Sequence, residues 1–276
     1  MPIFMDRHDM KGVTAAEIAE AHRKDLEVQD RYGVRFLTYW FDDKRGTTFC
    51  LIDAPDKDTA QCVHREAHGH VAGEVVEVAL SAVEAFLGRI QDPEPSEDHS
   101  GAQMDCGHRA IMFTDIVGST KMTERLGDRR ATELVRAHDS IVRRCLSRSG
   151  GHEVKHTGDG IMASFASTSE ALDCAASIQQ EFRRFNLGNP EPLHIRIGLD
   201  CGEPIEDSHD LFGSTVQRAA RLCAAAATDQ ILVSEDICLE GGGPDIFKQT
   251  RHRRFKGFSN PVAAFEYIWT NPNAGR

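Results

Sequence analysis

The sequence predicts an α+β protein of two domains. Three observations carry this reading. Short apolar runs of strand length alternate with longer stretches of helical period along most of the chain. Glycine-bearing turns, DDKRG at 42–46 and TGDG at 157–160, separate neighbouring strand candidates. One polar, acidic stretch at 91–107, QDPEPSEDHSGAQMDCG, has two prolines, two glycines and no apolar period. It reads as a linker between domains at 1–90 and 108–270, with a polar tail at 271–276.

In the first domain, residues 3–7 read as a strand. Thr14 opens a helix, with Glu17 placed for a capping box, and the helical pattern runs to about residue 32. Strands follow at 34–40 and 47–53, around the DDKRG turn. Residues 56–68 form a second helix and 74–78 a last strand. The order βαββαβ is that of a ferredoxin-like fold. A further helix, 80–90, leads into the linker.

The second domain opens with a strand at 110–115 and a long helical stretch at 119–148. Residues 152–165 read as a hairpin turning at TGDG. An amphipathic helix at 169–185 stops before Gly188 and Pro190. A strand at 194–202 and an alanine-rich helix at 214–227 follow. Residues 230–234, 247–253 and 262–269 read as strands of a mixed sheet.

With 276 residues, 40% of them apolar, the chain has material for a packed core without covalent staples. Lys+Arg 32 against Asp+Glu 43 leaves a net charge of −11. Such an acidic chain is unsuited to sequence-independent nucleic-acid binding. No run approaches the roughly 18 apolar residues of a membrane span, and the N-terminus lacks an apolar signal core. The eight cysteines are scattered, with no C-x-x-C pair, and read as reduced thiols. The expectation is a cytoplasmic protein with no nucleic-acid or membrane partner.

Two aspartates stand out. Asp115 lies in FTDIVGST at 113–120, where a strand gives way to a helix beginning at Gly118, Ser119 and Thr120. A helix N-terminus offers free N–H groups and the positive end of a dipole to phosphate. Asp159 lies in the hairpin turn, between Gly158 and Gly160. Gly-Asp-Gly is also ordinary turn chemistry. Together the two carboxylates suit a pair of magnesium ions gripping a triphosphate. Lys155 stands on the same hairpin, Asp210 precedes the helix at 214, and Lys256 sits in a later turn, FKGF. Each alone is an unremarked surface residue. Gln217 and Arg221 are spaced i, i+4 and share a helix face with small residues, where a guanidinium suits a phosphate.

The four motifs FTDIVGST, VKHTGDG, DLFGSTVQRAARL and FKGF, in that order, resemble the class III nucleotidyl cyclase family over about 109–269. The resemblance implies that fold: a mixed sheet with helices around a ferredoxin-like core. It implies that Asp115 and Asp159, with the Ile116 carbonyl, hold two Mg2+ or Mn2+ ions per site. It assigns Lys155 and Asp210 to reading the purine. Lysine donates to N1 of adenine and aspartate accepts from its amine, whereas guanine presents the reverse pattern, so ATP is favoured over GTP. Arg221 matches the arginine at the α-phosphate and Lys256 the lysine on the terminal phosphates. The implied reaction is in-line attack of the ribose 3′-hydroxyl on the α-phosphorus, giving cyclic AMP and pyrophosphate. Sites of this family lie at a dimer interface, and this chain carries both halves, so a homodimer follows.

One position departs. The family usually has asparagine where this chain has Gln217, the residue that orients the ribose. An added methylene shifts the amide by about 1 Å, enough to affect rate. Gln217 supports one alternative to adenylate cyclase, a nucleotide-binding, metal-responsive regulator with little or no turnover; a guanylate cyclase is a second, and Lys155 with Asp210 argues against it.

In the first domain, His64 and His68 share a helix face at i, i+4, a metal-ligand spacing that solvated helices also show. His8, His22 and Cys50 are candidates to join them. The runs RYGVRFLTYWFD, TTFCLIDAPD and VHREAHG resemble a small ferredoxin-like family described as nickel-binding. The resemblance implies a transition-metal site, and histidine with cysteine would suit nickel, zinc or haem iron. A metal- or haem-binding first domain that gates the second is the expectation, beside a plain dimerising domain.

Overall fold

Thr14 caps the first helix as its neighbours require. Its hydroxyl accepts from the Glu17 N–H, and the Glu17 carboxylate accepts from the Thr14 N–H at 2.8 Å, so the capping box is closed. The computed structural model describes residues 1–92, 105–205, 211–242, 244–250, 255 and 261–270. These fall into two compact units, Met1–His108 with Glu203–Gly213, and Arg109–Gly202 with Ser214–Arg276.

The first unit holds β1 (Ile3–Asp9), α1 (Ala15–Val28), β2 (Arg35–Asp42), β3 (Thr47–Asp53), α2 (Lys57–Ala67), β4 (Glu74–Val78) and α3 (Leu80–Leu87). Its sheet has the order β2-β3-β1-β4 with every pair antiparallel. That is the ferredoxin-like βαββαβ arrangement. Helix α1 stops sooner than its apolar pattern suggests, because Gln29–Tyr32 tighten into a 3-10 turn closed by Gly33. Helix α3 likewise ends before residue 90, at Gly88 in the left-handed region. Phe4, Phe36, Ile52 and Val63 pack at the centre of the unit.

The second unit holds β5 (Arg109–Ile116), α4 (Ser119–Arg148), β6 (His152–His156), β7 (Ile161–Phe165), α5 (Thr168–Leu187), β8 (Ile195–Gly202), α6 (Gly213–Ala225), β9 (Ile231–Ser234), α7 (Glu235–Glu240), β10 (Phe247–Gln249) and β11 (Ala264–Tyr267). Seven strands pair in the order β10-β11-β9-β8-β5-β7-β6. Strands β8 and β9 are parallel, with α6 in their crossover, and the other neighbours are antiparallel. Strand β5 is thus flanked on both sides, and its buried residues meet Val142, Phe165, Phe182 and Ile197 in the core. Two local features escape the apolar pattern. Gly127, at φ 76° and ψ 160°, breaks α4. The short α7 is capped by Ser234, whose hydroxyl accepts from the Ile237 N–H at 3.3 Å. No helix among the described residues is long and apolar enough to cross a membrane.

Helix α6 presses on β8 at Gly198. A Cβ there would lie 2.1 Å from the Cys223 nitrogen and 2.4 Å from the Ala219 carbonyl oxygen. Backbone cannot yield as a side chain can, so Gly198→Ala is expected to lower stability by about 1–3 kcal/mol. Urea melts check this; an unchanged midpoint would mean that the helix can lift off the strand without loss.

Candidate active site

The two acidic turns are stitched together through backbone. Strand β5 ends at Ile116, and the β6–β7 hairpin turns beside it. The Thr114 hydroxyl accepts from the Ile161 N–H at 3.0 Å. The Ile116 N–H donates to the Asp159 carbonyl at 3.2 Å. The Ser119 hydroxyl, at the start of α4, donates to Asp159 Oδ2 at 2.5 Å. The strands approach so closely that a Cβ on Gly160 would lie 1.9 Å from the Thr114 carbonyl oxygen. Asp115 and Asp159 are both half-buried. Burial pushes the Cys223 thiol up to about 12, and both carboxylates add to the rise. Both therefore lie within electrostatic reach of one sulfur.

Behind the turns runs a polar network. His138 Nε2 lies 3.3 Å from the Thr114 hydroxyl, and Asp139 joins His138 and His156, at 3.0 Å each. Against the upward push of burial, those two histidines hold the Asp139 carboxyl low. Helix α4, β5 and the hairpin are thereby tied at one level.

Arg196, which the motifs do not mark, faces Asp115 across the β5–β8 pair. Its Nε donates to Asp115 Oδ2 at 2.7 Å. Among the described residues, Oδ1 of Asp115 and Oδ1 of Asp159 are then left for another partner. Each is a carboxylate oxygen, the kind of donor that fits hard divalent cations.

The remaining sequence candidates divide. Gly118 and Thr120 are exposed at the start of α4, beside Ser119. Lys155 is exposed on β6, and Gln217 and Arg221 are exposed on α6. Among the described residues, no hydrogen bond or ion pair ties Lys155, Gln217 or Arg221 to either aspartate. Asp210 and Lys256 lie outside the described residues.

In the first unit, Asp6, His8, Cys50 and His64, all buried, offer ligand atoms within 4.8 Å of one another. Asp25, His64 and His68 form a second such group. His64 joins them, with Nε2 2.8 Å from Asp6 Oδ2 and Nδ1 3.1 Å from Asp25 Oδ1. Among the described residues His8 Nε2 is buried without a hydrogen-bond partner of good geometry, 3.3 Å from Asp6 Oδ1. His22 belongs to neither group: its Nε2 lies 2.9 Å from Asp92 Oδ2. It does line the adjoining cavity of about 20 Å³, as do His8, Cys50, His64, His68 and His70. Burial opposes charge on His64, yet the Asp6 carboxylate raises its pKa to about 10. Burial also opposes ionisation of Asp6, but His8 and His64 hold it far below the usual carboxylate range. Burial and Asp6 push the Cys50 thiol well up. The donor set fits a transition metal through its carboxylates and imidazoles better than through sulfur. Asp6 and Asp25 carry no sequence mark, since β1 and α1 read as ordinary amphipathic elements.

A seven-stranded mixed sheet with two acidic turns locked at the end of its flanked strand has the fold of the class III nucleotidyl cyclase catalytic domain. The chain belongs to the adenylate and guanylate cyclase catalytic domain family, whose model matches residues 103–254. Residues 4–78 match a second family model, described as nickel responsive protein SCO4226-like. An adenylate cyclase of Mycosarcoma maydis is 33% identical over 159 residues, covering 49% of this chain and 6% of that protein. The crystal structure of an adenylate/guanylate cyclase/hydrolase from Silicibacter pomeroyi is 28% identical, with a TM-score of 0.50, covering 58% of this chain and 96% of that one. The guanylate cyclase domain of RhGC from Catenaria anguillulae, solved with GTP, shares the fold at 18% identity, with a TM-score of 0.52 over 58% of this chain and 96% of that one. The chain spans 6% to 27% of the length of the first three curated relatives it matches.

Helix α6 is also anchored by charge. Arg218 Nη1 lies 3.3 Å from Asp200 Oδ2 and 3.1 Å from Asp236 Oδ2. Burial pushes the Asp200 carboxyl up from 3.8 to about 7, with Arg218 pulling partly back. A carboxyl whose folded pKa exceeds its unfolded one binds extra protons when folded. Its stabilising effect is therefore full below about pH 4 and lost as pH rises towards 7. In urea melts, wild-type stability should fall relative to Asp200→Asn by up to about 1.4 kcal/mol per pH unit across that window. A constant difference between the two would show that Asp200 titrates at its ordinary value.

Proposed function

We propose that this chain is an adenylate cyclase, converting ATP to 3′,5′-cyclic AMP and pyrophosphate at sites shared between two copies. The observation that carries the reading is the locked pair of acidic turns, where Asp159 takes the N–H of Ile116, next to Asp115, on its carbonyl and the Ser119 hydroxyl on its carboxylate. Asp115, the Ile116 carbonyl and Asp159 would hold two Mg2+ or Mn2+ ions, which lower the pKa of the 3′-hydroxyl and neutralise triphosphate charge. Backbone N–H groups of Gly118, Ser119 and Thr120 face phosphate at a helix start. Lys155 with Asp210 reads adenine, Gln217 orients the ribose, and Lys256 holds the terminal phosphates. Arg221 faces the charge that develops on the α-phosphate as the 3′-oxygen bonds to phosphorus and pyrophosphate leaves. Loss of such a preorganised donor is worth about 10²–10³ in rate.

Sharing between copies is supported by exposure. Lys155, Gln217 and Arg221 are open to solvent, without partners among the described residues, while Asp115 and Asp159 are half-buried. Asp115→Ala and Arg221→Ala proteins should each be inactive alone. Mixed, they should regain up to about a quarter of wild-type activity, because half the dimers then hold one intact site. Product from ATP and from GTP is resolved in the same assay. No recovery on mixing would count against the shared site, and faster cyclic GMP formation against the adenine reading.

The first unit supports regulation by a metal ion. A cavity of about 20 Å³ has space for a water molecule or an ion and far too little for haem. Nickel or a similar ion held by Asp6, His8 and His64 would take the place of the His64 proton. Calorimetric titration of Ni2+ in buffers of different ionisation heat should then show release of about one proton per ion. Binding without proton release would put the ion elsewhere, and equal turnover with and without Ni2+ would remove the regulatory role.

A further inference from the structure

Asp115 and Arg196 are directly opposed in an antiparallel pair, so their side chains project from the same face of the sheet. Arg196 Nε donates to Asp115 Oδ2 at 2.7 Å, and Nη1 donates to the Ala224 carbonyl at 2.6 Å. Both side chains are shielded, at 30% and 27% exposure. Ala224 is in the last turn of α6, where carbonyls lack an intrahelical donor. One guanidinium thus joins the Asp115 carboxylate to the end of the helix that presents Gln217 and Arg221. A planar group with five donors can make both bonds at once, and an ammonium is a poor substitute.

We propose that Arg196 is a positioning residue that holds Asp115 by one oxygen and makes divalent-cation binding depend on nucleotide. The inference rests on the reading of Asp115 as a metal ligand. Pinning Oδ2 leaves Oδ1 as the coordinating atom. A fixed positive charge beside the carboxylate weakens its hold on a free cation. The negative triphosphate offsets that charge, so cation and nucleotide arrive together. The bond to Ala224 passes any shift of the carboxylate to α6.

The test uses Mn2+ binding by the full chain, followed by electron paramagnetic resonance, with and without 3′-deoxy-ATP, which has no attacking hydroxyl. Turnover of ATP is measured in parallel, and thermal melts verify folding. Arg196→Gln should bind Mn2+ alone about tenfold more tightly than wild type, largely losing the nucleotide dependence. Its turnover should fall about 10²-fold through misplacement of Asp115. Arg196→Lys, which keeps the charge but not both bonds, should keep wild-type Mn2+ affinity with reduced turnover. Wild-type Mn2+ affinity in folded Arg196→Gln overturns the proposal. Should that variant not fold, full turnover in Arg196→Lys overturns it instead. Asp115→Asn separates the two readings. If it binds Mn2+ as wild type does, the metal site itself is wrong and the role of Arg196 falls with it. If it loses Mn2+ while Arg196→Gln is unchanged, only the role of Arg196 falls.

Discussion

The Thr114 carbonyl meets the hairpin at Gly160 with no space for a Cβ, and the geometry of both acidic turns depends on that contact. Because the two backbones touch, the Asp159 carbonyl can reach the Ile116 N–H and the Thr114 hydroxyl can reach Ile161. Any wider spacing would leave these groups buried and unpaired, at roughly 1–3 kcal/mol each. The same spacing brings the Ser119 hydroxyl to Asp159. A helix start, a strand end and a hairpin turn are thereby set as one rigid corner. The His138–Asp139–His156 network holds the corner from behind, where a methylene of slack would move both carboxylates.

The first unit solves a different problem. Asp6 is fully buried, and an isolated carboxylate there would lose several kcal/mol of hydration. It is compensated by His64, by His8 and by the Cys50 N–H at 3.1 Å. Well-packed apolar residues would stabilise this position equally or better. A buried cluster of two acids and three imidazoles is therefore poorly accounted for by stability. Its sharing of one histidine between two carboxylates resembles a metal centre in which a proton holds the metal's place.

How much of this was legible in the chain follows from how local each signal is. Thr14 and Glu17 declare a capping box within four residues, and the structure forms it. The βαββαβ order and the mixed sheet follow from runs of apolar residues, and both are present. The break at Gly127 was hidden because helix formers continue on both sides of it. Arg196 was hidden for another reason: its meaning arises only when β8 is set in register against β5. Asp6 and Asp25 were missed likewise, since each is one polar residue in an amphipathic element until tertiary packing gathers them around His64. His22 stands apart from both clusters in the structure, though it lines the same cavity. Its Nε2 meets Asp92, a pairing across seventy residues that no local pattern announces.

Charge explains why the two halves of the candidate site differ so much in exposure. With a net charge of −11, the chain as a whole repels a triphosphate, so capture must rely on local cations. Arg196 is already committed to Asp115 and to Ala224. It neutralises the acidic corner within its own chain and is not free to neutralise substrate. Arg221 is uncommitted among the described residues, and its helix is buried on the face that bears Thr215, Ala219, Leu222 and Cys223. Its guanidinium stays hydrated until something covers it. A second copy that brings an acidic corner and a nucleotide to that face would exclude water there. The attraction between Arg221 and phosphate then strengthens as the local dielectric falls. Assembly and substrate capture would in that way reinforce each other, with neither half of the site holding a triphosphate well alone.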